Sequence, residues 1–191
     1  EMKAKASQPS SSTVPSKMMK IPSVQPATAV NLPTANQPII IVPSSYSSLL
    51  NMFNVGAFLG TEECFHTPQE ARNRAPGGRK ESKVQIQRNS RTFTVIDNVN
   101  RLKLEDWNSV VAVFVQGEAW QFKGWKWATP VELFNKVKGF LVKYEDEAVP
   151  GEVKAWNVEV LNISKSKRHL DSAAVVQFWN SLFAFMAKRG L

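Results

Sequence analysis

From Pro38 onward the chain alternates between two textures: short β-branched runs bounded by Pro or Gly, and stretches whose apolar residues recur at helical spacing. The first run, Ile39-Ile40-Ile41-Val42, is too short for a helix, is closed by Pro43, and predicts a strand buried on both faces. Ser44 and Ser45 are candidate caps, and Leu49, Leu50, Phe53, Ala57 and Phe58 predict a helix over 46–59 that stops at Gly60. Strand, turn and helix in direct succession predict a βα unit. The stretch around Pro76-Gly77-Gly78 is predicted to be long and irregular, and Arg91 to Ile96 alternates like a strand with one buried face.

Val110 to Val115 is too apolar for an edge and predicts a central strand ended by Gly117. A Trp-rich loop follows, then a helix opened by Pro130, with Val131, Phe134 and Val137 as its apolar positions. Phe140 to Tyr144 and Trp156 to Ile163 predict two further strands around an acidic turn at 145–147, with Trp156, Val158, Val160 and Asn162 facing one way. A last helix, with Asp171 as its predicted cap, presents Val175, Val176, Trp179, Leu182, Phe183 and Met186. Alternating strands and helices predict an α/β three-layer domain with a mainly parallel sheet.

Composition divides the chain in two. Residues 1–37 contain no aromatic residue and no Gly, and 7–37 are dominated by Ser, Thr, Pro, Gln and Ala, so a disordered Ser/Pro-rich linker is expected there and one folded domain over 38–191. The chain opens with Glu and shows no apolar signal core, which reads as a fragment of something longer. The single Cys64 cannot form an internal disulfide and points to a reducing compartment. No apolar run approaches the roughly 20 residues of a membrane-spanning helix, so no membrane contact is expected.

The formal charge is +8. Arg72, Arg74, Arg79, Lys80, Lys83, Arg88 and Arg91 face only Glu70 and Glu81 between residues 70 and 91, a local excess of five, and the rest of the folded part balances. Such a concentration suits a polyanion, or else a solvated basic loop.

Ligands of parallel α/β sheets sit beyond the carboxyl ends of the strands. The first such place, residues 43–50, has neither Gly nor Lys, and Pro43 lacks a backbone donor, so the phosphate-binding loop of a nucleotide hydrolase is missing. Cys64 and His66 are too few for a zinc site, His169 lies more than 100 residues away, and Glu145, Asp146 and Glu147 read as a solvated turn. No catalytic residue, cofactor or metal is expected. Two basic segments remain. Trp120 to Trp127 holds four aromatics with Lys123 and Lys126, a density that suits stacking or peptide capture, or rings folded over the end of the sheet. Lys165, Lys167 and Arg168 follow a predicted strand, where phosphate recognition and a solvated loop are equally open.

Pro38 to Pro43, Asp106-Trp107, VVAVFVQGEAWQFKGW (110–125), LFNKVKGFLVKYED (133–146), WNVEVLNISKSKRHLD (156–171) and Phe178-Trp179 resemble the C-terminal domain of the parafibromin family. That family supplies a subunit of the RNA polymerase II-associated factor complex. The poorest match is 60–91. The resemblance implies a Ras-like (P-loop-NTPase-like) fold without nucleotide-binding motifs, and a nuclear, non-enzymatic interaction domain of transcription elongation. The partners it implies are the other subunits of the complex, RNA polymerase II and elongation factors including phosphorylated tails, and chromatin, in support of elongation and histone modification. Lys165, Lys167 and Arg168, with Lys123, Lys126 and Trp125, are the expected partner contacts. The alternative is direct electrostatic binding of nucleic acid through 72–91.

Overall fold

The computed structural model of the chain describes residues 37–191, and the linker predicted over 1–37 lies outside them up to residue 36. Strands β1 (Ile39–Ile41), β3 (Arg91–Ile96), β4 (Val110–Phe114), β5 (Lys138–Tyr144) and β6 (Val158–Ile163) run parallel, and β2 (Val84–Arg88) pairs antiparallel with β3. They form one sheet in the order β2-β3-β1-β4-β5-β6. Helices α1 (Val55–Leu59), α2 (Pro68–Arg74), α3 (Pro130–Lys136) and α4 (Asp171–Lys188) lie in the connections and at the end.

Strand periodicity sorts the core into two halves. Ile40, Val42, Val95, Ala112, Phe114, Phe140, Val142, Leu161 and Ile163 face α1 and α4, where Phe58, Val175, Phe178, Trp179 and Leu182 meet them. Ile41, Val113, Val115 and Leu141 face the other way, onto Leu133 and Phe134 of α3 and onto Trp107, Phe122 and Val153. The mainly parallel three-layer α/β sheet is therefore as expected, with the Ras-like strand order. Close packing sets one glycine: a Cβ at Gly139 would stand 2.7 Å from the Phe134 ring and from Val158 Cγ2.

Four local expectations differ from the structure. Only Val55–Leu59 of the predicted 46–59 helix is helical. Asn51 and Asn54, both buried, spend their side chains on neighbouring backbone groups and hold 44–54 in turns instead. The stretch predicted irregular contains α2, opened by a capping box between Thr67 and Glu70, and β2, joined to β3 through Asn89 and Ser90 at φ of 48° and 60°. Phe93 and Val95 of β3 share the buried face, but Thr94, pointing to the other, is buried too, its Oγ1 donating to Gln37 Oε1 at 3.1 Å. On the helices, Val131 and Val176 are exposed, Leu133 and Phe178 are buried, and Asp171 is no cap: its carboxylate accepts from the Phe65 N–H at 3.1 Å.

Candidate functional site

The loop after β1 is built from side chains that satisfy its own backbone. Ser45 Oγ accepts the Ser47 N–H at 3.2 Å, and Ser48 Oγ donates to Gln116 Oε1 at 3.0 Å, tying this loop to the segment after β4. Asn54 accepts the Asn51 N–H and donates to the Leu49 and His66 carbonyls. Residues 43–54 hold no Gly and no Lys, and Pro43 offers no N–H, so they do not fit the nucleotide that folds of this shape hold there.

Beyond β4, Gln121 continues the strand edge: its Oε1 accepts the Gln116 N–H at 3.1 Å and its Nε2 donates to the Phe114 carbonyl at 2.9 Å. These bonds fix a single helical turn, Ala119–Phe122, that buries Phe122 and turns Trp120 outward, 64% exposed. Trp120, with Pro43 and Gln116, stands between two hollows at the carboxyl edge of the sheet. The larger, about 750 Å³, is walled by the segment after β3 and by Lys80, Lys83, Arg101, Lys123 and Trp125. The smaller, about 460 Å³, is walled by the β1 loop, Lys143, Tyr144 and Glu147.

The expected contact residues do not form one site. Lys123 is exposed and lines the larger hollow with Trp125, whose ring packs on Trp107 and Phe122 at 5.6 and 5.3 Å. Lys126 lies elsewhere, with Nζ 3.4 Å from the Leu104 carbonyl and over the Trp127 ring. Lys165 is bonded to Asp146 at 2.9 Å and sits over Tyr144, and that bond raises its pKa while lowering that of Asp146. Arg168 turns inward: Nη1 donates to the Phe65 carbonyl at 3.3 Å and Nε lies 3.6 Å from Asp171. Burial pushes the Asp171 carboxyl above its ordinary range, against the opposing Phe65 N–H and Arg168. Lys167 alone of the three is exposed with no ion-pair partner among the described residues.

Three rings of the Trp-rich block therefore do fold over the end of the sheet, and the sequence reading missed Trp120 as the one left outside. Nothing in the spacing separates it from Trp125. The signal available is Phe122, which must point inward and so turns its neighbour out. Cys64 is partly buried beside the Phe65 carbonyl, and no cluster of three metal-ligating side chains occurs among the described residues. Nor is any described helix long and apolar enough to cross a membrane.

Residues 34–185 match the family model described as RNA pol II accessory factor, Cdc73 family, C-terminal. The Arabidopsis thaliana protein named Protein CDC73 homolog is 39% identical over 162 residues, covering 80% of this chain and 39% of that protein. Cell division cycle protein 73 of Caenorhabditis elegans is 36% identical over 159 residues, covering 81% and 30%. The chain thus spans less than half the length of these relatives. The solved conserved domain of yeast Cdc73 superposes with a TM-score of 0.70 at 37% identity, covering 80% of this chain and 98% of that one.

Proposed function

Because this chain belongs to the Cdc73 family of RNA polymerase II accessory factors, we propose that its folded part is a non-enzymatic docking domain. In this reading it works in the nucleus as part of the polymerase-associated factor complex. It attaches that complex to elongating polymerase, to elongation factors with phosphorylated tails, and to chromatin, in support of co-transcriptional histone modification. The observation that carries the reading is Trp120, an indole held on a hydrogen-bonded turn yet 64% exposed between two hollows. Rigid, amphipathic anchors of this kind dominate protein interfaces.

Lys123 beside Trp120 and Lys167 beyond β6 supply free cations for acidic or phosphorylated segments. Lys165 serves by exchanging Asp146 for a partner's anion, and Trp125 supports the wall of the hollow. Lys126 and Arg168 are secondary, because backbone carbonyls already hold them. The test is recovery of RNA polymerase II and chromatin by the full chain. W120A is expected to fold normally and to weaken recovery by at least ~30-fold in affinity, the cost of losing about 2 kcal/mol at a central anchor. Unchanged recovery by folded W120A would remove the reading.

A further inference from the structure

The docking reading leaves the basic stretch at 70–91 unused, and the structure separates its cations into two groups. Arg88 is paired with Glu63 at 2.6 Å, Lys80 with Asp97 at 2.5 Å, and Arg74 Nη1 lies 2.8 Å from His66 Nε2. Arg72, Arg79, Lys83 and Arg91 are exposed and have no ion-pair partner among the described residues. Three of these four gather around Lys80. Arg79, Arg74 and Lys80 line one hollow of about 330 Å³, Lys83 and Lys80 line the larger hollow at the sheet edge, and Arg72 and Lys80 both flank Tyr46.

Tyr46 is the second feature. It projects from the loop after β1 with 61% of its surface exposed, its ring 5.9 Å from Phe53, and the Arg72 and Lys80 cations 5.8 and 5.6 Å from its centre. An exposed aromatic ring flanked by the unpaired Arg72 and by Lys80, which also meets Asp97, with the unpaired Arg79 and Lys83 near Lys80, is an arrangement that grips a strand by base stacking and phosphate neutralisation together. A duplex would leave the ring idle, since its bases are already stacked. An acidic peptide would use the cations and not the ring.

We infer that this strip binds single-stranded nucleic acid, with Tyr46 stacking a base and Arg72, Arg79 and Lys83 contacting phosphates. Selectivity among bases is not built in, because stacking tolerates every base. Lys83 shares the larger hollow with Trp120, but Tyr46, Arg72 and Arg79 line neither hollow beside it, so the two activities part on mutation of those residues.

Fluorescence anisotropy of the full chain against oligo(U) RNA, oligo(dT), a duplex of equal length and an acidic peptide tests it. Binding to both single strands should fall with salt on a log–log slope of about −2, from roughly −0.7 per contact at three phosphates. R72E/R79E/K83E should bring that slope close to zero. Y46A should weaken binding roughly tenfold while Y46F leaves it unchanged. W120A should not alter it, which keeps a failure here distinct from a failure of the docking reading. All four positions are exposed, so the variants should melt with the wild type. A flat salt response, a duplex or peptide bound as well as the single strands, or an unaffected Y46A each overturns the inference.

Discussion

Asn54 is where the fold positions the β1 loop, and removing its side chain has a calculable effect. It is fully buried; its Oδ1 accepts the Asn51 N–H at 2.9 Å, and its Nδ2 donates to the Leu49 carbonyl at 2.8 Å and to the His66 carbonyl at 2.9 Å. N54A removes all three bonds and strands their partners. At about 1 kcal/mol each, the loss is about 3 kcal/mol, or a melting temperature lower by roughly 6–12 °C for a domain of this size. N54D is the sharper probe. It has the same shape and keeps the Asn51 bond, but it sets a carboxylate oxygen against two carbonyl oxygens and buries a charge, so it should be less stable than N54A. Urea unfolding at pH 7 orders the three proteins, and acidification should narrow the gap as the carboxylate takes up a proton. The same variants should loosen Tyr46 and weaken single-strand binding. An N54D protein as stable as wild type, or an N54A loss well under 1 kcal/mol, would refute the reasoning.

Glu159 on β6 is bonded to Lys138 at 2.8 Å and to Ser181 and Gln177 of α4. Burial alone would raise its pKa, but these bonds outweigh it and hold the carboxyl below the ordinary 4.5. The stability it contributes is therefore full above about pH 4.5 and lost as pH falls through the lower folded value; E159Q should flatten the acid limb of a stability–pH curve, and an unchanged limb counts against the network. G139A must displace the Phe134 ring or Val158, costing about 1–3 kcal/mol in thermal melts, and wild-type stability would deny the close approach. R168A should cost about 2 kcal/mol by leaving Asp171 buried without its cation, while K167A costs nothing measurable. Equal melting temperatures for the two would show that Arg168 does not brace the loop.

The strands were legible because their signal is local. Ile39 to Val42 and Val110 to Val115 carry more β-branched surface than any edge could hide, and both lie at the centre of the sheet. The 46–59 helix failed on residues whose effect depends on partners. Asn51 and Asn54 look neutral in an apolar spacing, yet each offers the backbone a better partner than the next helical turn. Likewise Val84 to Arg88 has only Val84 and Ile86 to mark it as a strand, and its place is set by pairing with β3 and by a turn at Asn89-Ser90. In the Trp block, spacing does not separate the exposed Trp120 from Trp125, which packs on Trp107 and Phe122. Exposure is a property of the assembled turn. The inward course of Arg168 was likewise illegible, since its partners, the Phe65 carbonyl and Asp171, are brought to it only by the fold.

The docking proposal rests on what the carboxyl edge of this sheet offers and withholds. A small phosphorylated ligand needs many backbone donors converging on a few atoms. Here Pro43 supplies none, and the side chains of Ser45, Asn51 and Asn54 take up N–H groups of Ser47, Phe53 and Asn51. What still faces solvent is sparse and widely spaced: Trp120 between two hollows, Lys123 on one wall, Tyr46 on the loop after β1. Few anchors spread over a wide surface suit a macromolecule, whose own size supplies the remaining contacts. The charges follow the same division, since Lys165 and Arg168 are met by acids of their own chain while Arg72, Arg79 and Lys83 are not. A polyanion approaching this domain should therefore settle on the α2–β2 side first. Moving the anionic site to the β6 side would require neutralising Asp146 and Glu147, and D146N/E147Q, measured beside the wild type with oligo(U), should add affinity there without touching the Tyr46 contribution.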